Sequence, residues 1–318
     1  MWRFILRRLA FIPITGIGIS AFVFFLLRVF PEITGDPVVI ICGQDCEPGQ
    51  QEIIRAELGL DGPLVVQYFD WMKSVLTGDL GTTYYGGKDV LHEVVVRLPI
   101  SVEIVALTIL FGTTLGVGFG IIAAVMRNTP LDYAVRVFAV FGQSIPDFFL
   151  LVLLIVIPSI LWTYSPPIGG YVAFWDDPWR NIRLFVPPTL LLSVGGAAGL
   201  MRLVRSTMLE VLGSEYVRTA MAKGLHPRAV IIRHAFRNTL APIVTVLTFT
   251  IATVFGGSLI LERVMSINGL GNFFFQAVIA RDLPVVQFTV LYTALIVVLI
   301  NLLQDISYAF IDPRVRFR

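Results

Sequence analysis

Charge is scarce in this chain. Only 14% of its 318 residues are Asp, Glu, Lys or Arg, 56% are hydrophobic, and the mean hydropathy is +0.81. A soluble domain carries about 25% charged and about 45–50% apolar residues, so the composition excludes a water-soluble globule and points to an all-α integral membrane protein. Histidine is rarer still. The three present, His92, His226 and His234, are scattered, no glycine-rich phosphate loop occurs, and no Ser or Cys nucleophile has a base at a recognisable spacing. That leaves no catalytic set. The two cysteines, Cys42 and Cys46, are too few for an iron–sulfur cluster and have no nearby histidine to complete a zinc site. Their spacing suits a short disulfide if the loop faces an oxidising compartment, and two free thiols otherwise. A net charge of +2 argues against a nucleic-acid partner, because a groove that neutralises phosphates needs a concentrated basic face.

Six apolar runs are present. Leu9 to Phe30, Pro99 to Met126, Ala134 to Trp162, Leu184 to Met201, Ile243 to Ile260 and Val285 to Leu303 are each long enough to cross a bilayer. The third is interrupted by Gln143-Ser144-Ile145-Pro146-Asp147, where proline frees a carbonyl and kinks the helix. Glycines at 112, 116, 118 and 120 in the second run predict close helix packing. Between the first two runs lies a segment with eleven acids against four bases, predicted to be external and to hold short helices over Gln50 to Leu58 and Pro63 to Leu76. Fifteen of the 24 Lys and Arg fall in the segments on the opposite side, so both termini are predicted to be cytoplasmic. The expected organisation is therefore residues 1–30 as tail and first span, 31–98 as external segment and 99–318 as a five-helix core.

The most basic stretch runs from Arg202 to Asn238. Seven positive residues stand there against Glu210 and Glu215. Ser214 is placed to cap a helix that Glu215 opens and Gly224 stops, and Pro227 is placed to open a second helix, over Arg228 to Leu240. The result is a helix–elbow–helix with Ala220, Ala222 and Gly224 at its tip. A positive-inside anchor with an ordinary turn is the alternative reading of the same residues.

The run Glu215-Tyr216-Val217-Arg218-Thr219-Ala220-Met221-Ala222-Lys223-Gly224-Leu225, followed by Arg233-His234-Ala235-Phe236-Arg237-Asn238 and Ala241-Pro242, resembles the cytoplasmic loop of permease subunits of dipeptide, oligopeptide and nickel ABC importers. The general importer pattern E-A-A-x-x-x-G would put Glu at Arg218 and Ala at Thr219, so the chain departs at those two positions and is similar to the peptide branch instead. Leu58-Gly59-Leu60-Asp61, Gly78-Asp79-Leu80-Gly81, Arg97-Leu98-Pro99, Ser144-Ile145-Pro146, Asn268-Gly269-Leu270-Gly271, Arg281-Asp282-Leu283-Pro284 and Asp312-Pro313-Arg314 extend the resemblance, specifically to the first permease subunit, along nearly the whole chain.

The resemblance implies a type I (MetI-like) permease fold with six spans, N-in and C-in, in the cytoplasmic (inner) membrane of a bacterium or archaeon. It implies half of the translocation pathway of an ATP-driven peptide importer, with nickel or another small solute as the alternative cargo. Implied partners are a second homologous permease, one or two cytoplasmic ATPase subunits and an extracytoplasmic binding protein. The chain itself would bind no cofactor, since ATP and Mg sit on the ATPases. ATPase coupling would fall to Glu215, Tyr216, Arg218, Thr219, Ala220, Ala222, Lys223, Gly224, Leu225, His226 and Pro227.

Ser144, Pro146 and Asp147 are the candidates for the pathway. Asp147 is the one acid well inside a span, placed either to line a cavity and meet a substrate ammonium or cation, or to cap the broken helix. An ion-coupled secondary transporter using Asp147 is the competing class, and a scaffold that recruits a cytoplasmic partner is a third.

Overall fold

The computed structural model describes residues 2–30, 35–43, 47–164 and 166–311. Cys46 and the tail from residue 312, and with them the Cys42–Cys46 bridge, lie outside the described residues. Helices dominate. In order they are α1 (Trp2–Val29), α2 (Pro37–Cys42), α3 (Pro48–Glu57), α4 (Leu64–Thr77), α5 (Val90–Val125), α6 (Pro130–Ser144), α7 (Asp147–Trp162), α8 (Pro178–Leu212), α9 (Glu215–Ala222), a π-helix (Val230–Phe236), α10 (Arg237–Val264), α11 (Leu270–Ala280) and α12 (Leu283–Ile311). The β content among the described residues is one isolated bridge, Thr82 with Asp89. Among the described residues five helices are long and apolar enough to span, and the pair α6–α7 makes a sixth if it is counted as one span.

Several boundaries differ from the sequence expectation, for a shared reason. α5 begins at Val90 with Pro99 inside it, and α8 runs from Pro178 through Pro187 and Pro188 to Leu212. The second run is expected to open at Pro99 and the fourth at Leu184, just before Pro187-Pro188, but each helix begins earlier and continues through its prolines. Membrane helices tolerate such breaks because neighbouring groups re-satisfy the freed carbonyl. Nothing between Met201 and Gly213 stops α8 either, so Arg202 to Leu212 is the end of a span and not the start of a loop. At Pro146 the opposite holds: the expected kink is a break of 96° between α6 and α7.

The chain divides into two compact units. One comprises Leu6–Ser101 and Asn268–Leu299. Its core is Val90, Val94, Leu270, Ala277, Val285 and Val286, and the Leu270 amide donates to Ser101 Oγ at 2.8 Å, fixing the start of α11. Gly59 and Gly78 adopt positive φ at the ends of α3 and α4, as their positions predict. Near α12, Asp282 is buried and its Oδ2 accepts the Tyr84 amide at 2.9 Å.

Burial raises Asp282 above its ordinary 3.8 and pushes Tyr84 up to about 12. A folded value above the unfolded one means that the protonated form is favoured in the fold. The Asp282 contribution is therefore complete below pH 3.8 and is lost as pH rises through its elevated folded value. Asp282→Asn keeps an oxygen for the Tyr84 amide, so this variant should lose less of its thermal midpoint than wild type as pH rises above 3.8. Melting curves against pH in detergent read this directly, and parallel curves would count against it.

The second unit comprises Met1–Ile5, Val102–Ile267 and Ile300–Arg318. α8 is its central helix. Its spanning window is 56% buried, against 17–33% for the other long spans, and it packs on α6, α7 and α10. Three of the four glycines expected to mediate packing do so: Cβ atoms at Gly112, Gly116 and Gly120 would meet Ser193, Leu200 and Val204 of α8, the last two at 2.7 Å. A Cβ at Gly118, on another face, would meet nothing within 4 Å among the described residues. Outer faces of the spans are apolar and exposed, for example Phe138, Phe141, Phe148 and Phe149, as suits a helix whose solvent is lipid or another membrane subunit.

Candidate functional site: an exposed elbow and a cavity on one helix

The basic stretch is built as a short helix with a sharp stop. α8 ends at Gly213, and Ser214 takes an extended backbone at the N-cap of α9. Its hydroxyl turns back to the Val211 carbonyl at 2.5 Å instead of capping. At the other end the Leu225 amide bonds the Ala220 carbonyl and the Gly224 amide bonds that of Met221. This is the Schellman pattern, and it requires the positive φ of 76° that Gly224 adopts. His226 then accepts the Arg228 amide through Nδ1, and Pro227 opens the next turn.

Burial separates an inner from an outer face. Val217 and Ala220 turn inward onto Val230, Val211 and Leu212, so Ala220 supports the elbow from within. Glu215, Tyr216, Arg218 and Thr219 and every residue from Met221 to Arg228 are exposed. The Arg218–Glu215 pair at 2.9 Å lies in water, where such pairs contribute little. Met221, half exposed beside Leu225, adds an apolar contact that the charge-based reading passed over.

Beyond the elbow the chain departs from the expected α-helix. Val230–Phe236 is a π-helix. Its i→i+5 bonding brings residues five apart toward one face, and the packing uses this: Val230 and Ala235 are both fully buried, the first against α9 and the second against Ala124, Leu200, Val204, Met208 and Ile243. An α-helix would turn one of them outward. Asn238 Nδ2 donates to Tyr216 Oη at 2.7 Å, tying α10 to α9.

One of the seven basic residues has a structural role that sequence alone did not indicate. Arg205 donates from Nε and Nη2 to the two oxygens of Asp132 at 2.6 and 2.9 Å, and Asp132 is fully buried. The Asn128 amide and Arg136 complete the carboxylate's surroundings. This joins α6 to α8 just above the elbow, while the other six positive residues of the stretch stay exposed.

On the same helix, deeper in the unit, lies a cavity of about 330 Å³. Asp147 and Gln143 line it from the α6–α7 break, Thr108 and Thr113 from α5, and Ser193, Gly195, Gly196 and Gly199 from α8. Of the three pathway candidates it takes Asp147 alone. Ser144 Oγ bonds the Val140 carbonyl of its own helix, and Pro146 is the N-cap residue of α7. Gly195 and Gly199 make room for the polar side chains: added Cβ atoms would stand 3.2 Å from Asp147 Oδ1 and 2.8 Å from Gln143 Nε2. A carboxylate inside a span costs about 2.5–3.5 kcal/mol, and a first-turn acid recovers about 0.3–1 kcal/mol from the helix dipole. Its place at the start of α7 therefore does not account for Asp147.

Comparison with known proteins identifies the architecture. The family model described as binding-protein-dependent transport system inner membrane component matches residues 116–317, and that for the N-terminal part of such membrane components matches residues 1–105. The chain belongs to this family. The permease is 37% identical over 318 residues to a peptide transport system permease protein of Brucella abortus (strain 2308), and 35% identical over 341 residues to the dipeptide transport system permease protein DppB of Escherichia coli (strain K12), covering all of both chains in each case. An inward-facing structure of the MetNI methionine ABC transporter superposes on 68% of this permease and 96% of that chain, with a TM-score of 0.53 and 22% identity. That likeness concerns the fold, which is the type I permease fold the sequence resemblance implied. The permease is thus the non-catalytic membrane component of a binding-protein-dependent ABC importer, a class whose ATPase resides on partner subunits and whose cargo arrives on a binding protein.

Proposed function

We propose that the permease forms one half of the translocation pathway of a peptide importer, beside a second homologous permease, with both termini on the ATPase side. The carrying observation is full-length similarity to permeases named for peptide and dipeptide transport. In this reading the exposed face of α9 and the turn through Gly224 and Pro227 is the docking element for an ATPase subunit. Its small and apolar residues, Ala222, Gly224, Leu225 and Met221, admit close approach, and the charge of Arg218 and Lys223 rims them. The excess of Lys and Arg on the same side supports the orientation. Driving an inward–outward equilibrium from 1:99 to 99:1 takes about 5.5 kcal/mol of differential interaction, and that energy comes from ATP on the partners.

The assignment is tested by co-expressing the permease with its second permease and ATPases and adding the binding protein to proteoliposomes. Dialanine should accumulate only with ATP, and nickel should not. Nickel uptake without dialanine uptake would reassign the cargo.

A further inference from the structure

We propose that Asp147 is the point in the pathway that recognises a primary ammonium group, so that the cavity selects solutes bearing a free amine. The inference rests on the peptide-importer reading and gives it a chemical determinant inside the membrane. Asp147 lines the cavity, has no hydrogen-bond or ion-pair partner among the described residues, and stands beside no Lys or Arg in the lining. Asp132, the other acid in the α6–α7 pair, is by contrast fully engaged by Arg205.

A second group of atoms points the same way. Thr108 is buried, and among the described residues its Oγ1 has no hydrogen-bond partner, nor does that of Thr113; both residues line the same cavity. An ammonium group carries three donors and no acceptor, and the cavity offers it a carboxylate and two free hydroxyl oxygens. The remaining wall includes Ile109, Leu192, Leu200, Val246 and Phe249, which can border side chains of many shapes without choosing among them. The volume of about 330 Å³ is at the small end of ligand sites. Gly195 leaves the carboxylate free to face this space, since a Cβ there would crowd Oδ1.

The test uses the assembled permease–ATPase complex in detergent, without binding protein, and the probes dialanine and Nα-acetyl-dialanine at equal concentration. Wild type should prefer dialanine by about tenfold, in line with loss of a charge-assisted contact. Asp147→Asn should bind both probes equally and weakly, Asp147→Glu should restore the preference, and Gly195→Ala should reduce it. Melting temperatures establish that each variant is assembled, and if the asparagine variant does not assemble, Gly195→Ala and Asp147→Glu carry the comparison. Equal preference in wild type and Asp147→Asn overturns the proposal, and so does a dialanine affinity that rises with sodium in wild type and loses that rise in Asp147→Asn, which would make Asp147 an inorganic cation site. ATP-driven uptake of dialanine by wild type is measured alongside. Its absence strikes the peptide reading, whereas its presence with an unchanged probe preference in Asp147→Asn strikes the ammonium site alone.

Discussion

Gly224→Val should abolish most ATP-driven uptake while the protein still inserts and melts near the wild-type temperature. At a φ of 76° a side chain with a branched Cβ meets its own backbone, at a cost of roughly 1–2 kcal/mol. Among the described residues, chain neighbours aside, no atom lies within 4 Å of the added carbon, so the penalty is conformational. The chain relieves it by leaving the left-handed region, which breaks the bonds from Gly224 to Met221 and from Leu225 to Ala220 and re-aims Leu225, His226 and Pro227. If the elbow is the docking element, uptake per ATP hydrolysed falls by about tenfold or more, since each 1.4 kcal/mol lost is a factor of ten. The substitutions form a series: Asn, which tolerates this backbone, should be mildest, Ala intermediate and Val worst. Uptake and hydrolysis measured together in proteoliposomes decide it. A valine variant with wild-type coupling, or an asparagine variant as poor as valine, would remove the backbone argument.

Arg205→Ala should be the most destabilising single change in the stem. It strips the bidentate partner from a carboxylate with no exposure, and breaking a buried pair costs about 3–5 kcal/mol. Arg136, at 3.5 Å and half exposed, cannot replace two parallel bonds. Lysine at 205 should recover little, because it offers a point charge where the site needs a planar fork. The double variant Asp132→Asn with Arg205→Met should regain most of the loss, since no charge is then stranded. Unfolding in mixed detergent micelles gives the order, and a tolerated Arg205→Ala would refute it.

Local signals were legible where one residue decides the backbone. Gly59, Gly78 and Gly224 end helices because each takes a positive φ, and a stop at each could be read without coordinates. Asp147 stood out because an acid inside an apolar run has few bland explanations. Pro99 misled as a helix start, since it sits inside α5. The π-helix was hidden because its cause is tertiary: Val230 and Ala235 are pulled to one side by two different clusters. Asp132 and Arg205, 73 residues apart in sequence, had no local signature. Arg205 therefore read as one more topological charge. Glycine spacing marked α5 as a packing helix but not which of its four glycines faces α8, which depends on the helix's rotation.

α8 carries the cavity glycines and the Arg205 clamp on one continuous rod whose end, at Gly213, is the base of the elbow. At 1.5 Å per residue, Gly213 lies about 12 Å from Arg205 on one side and Gly195–Gly199 about 9–15 Å on the other. A rod held at Arg205 is a first-class lever with nearly equal arms. If an ATPase docks on the elbow as proposed, a sideways displacement there would reappear at the cavity wall at similar amplitude and in the opposite direction, with the clamp on Asp132 as fulcrum.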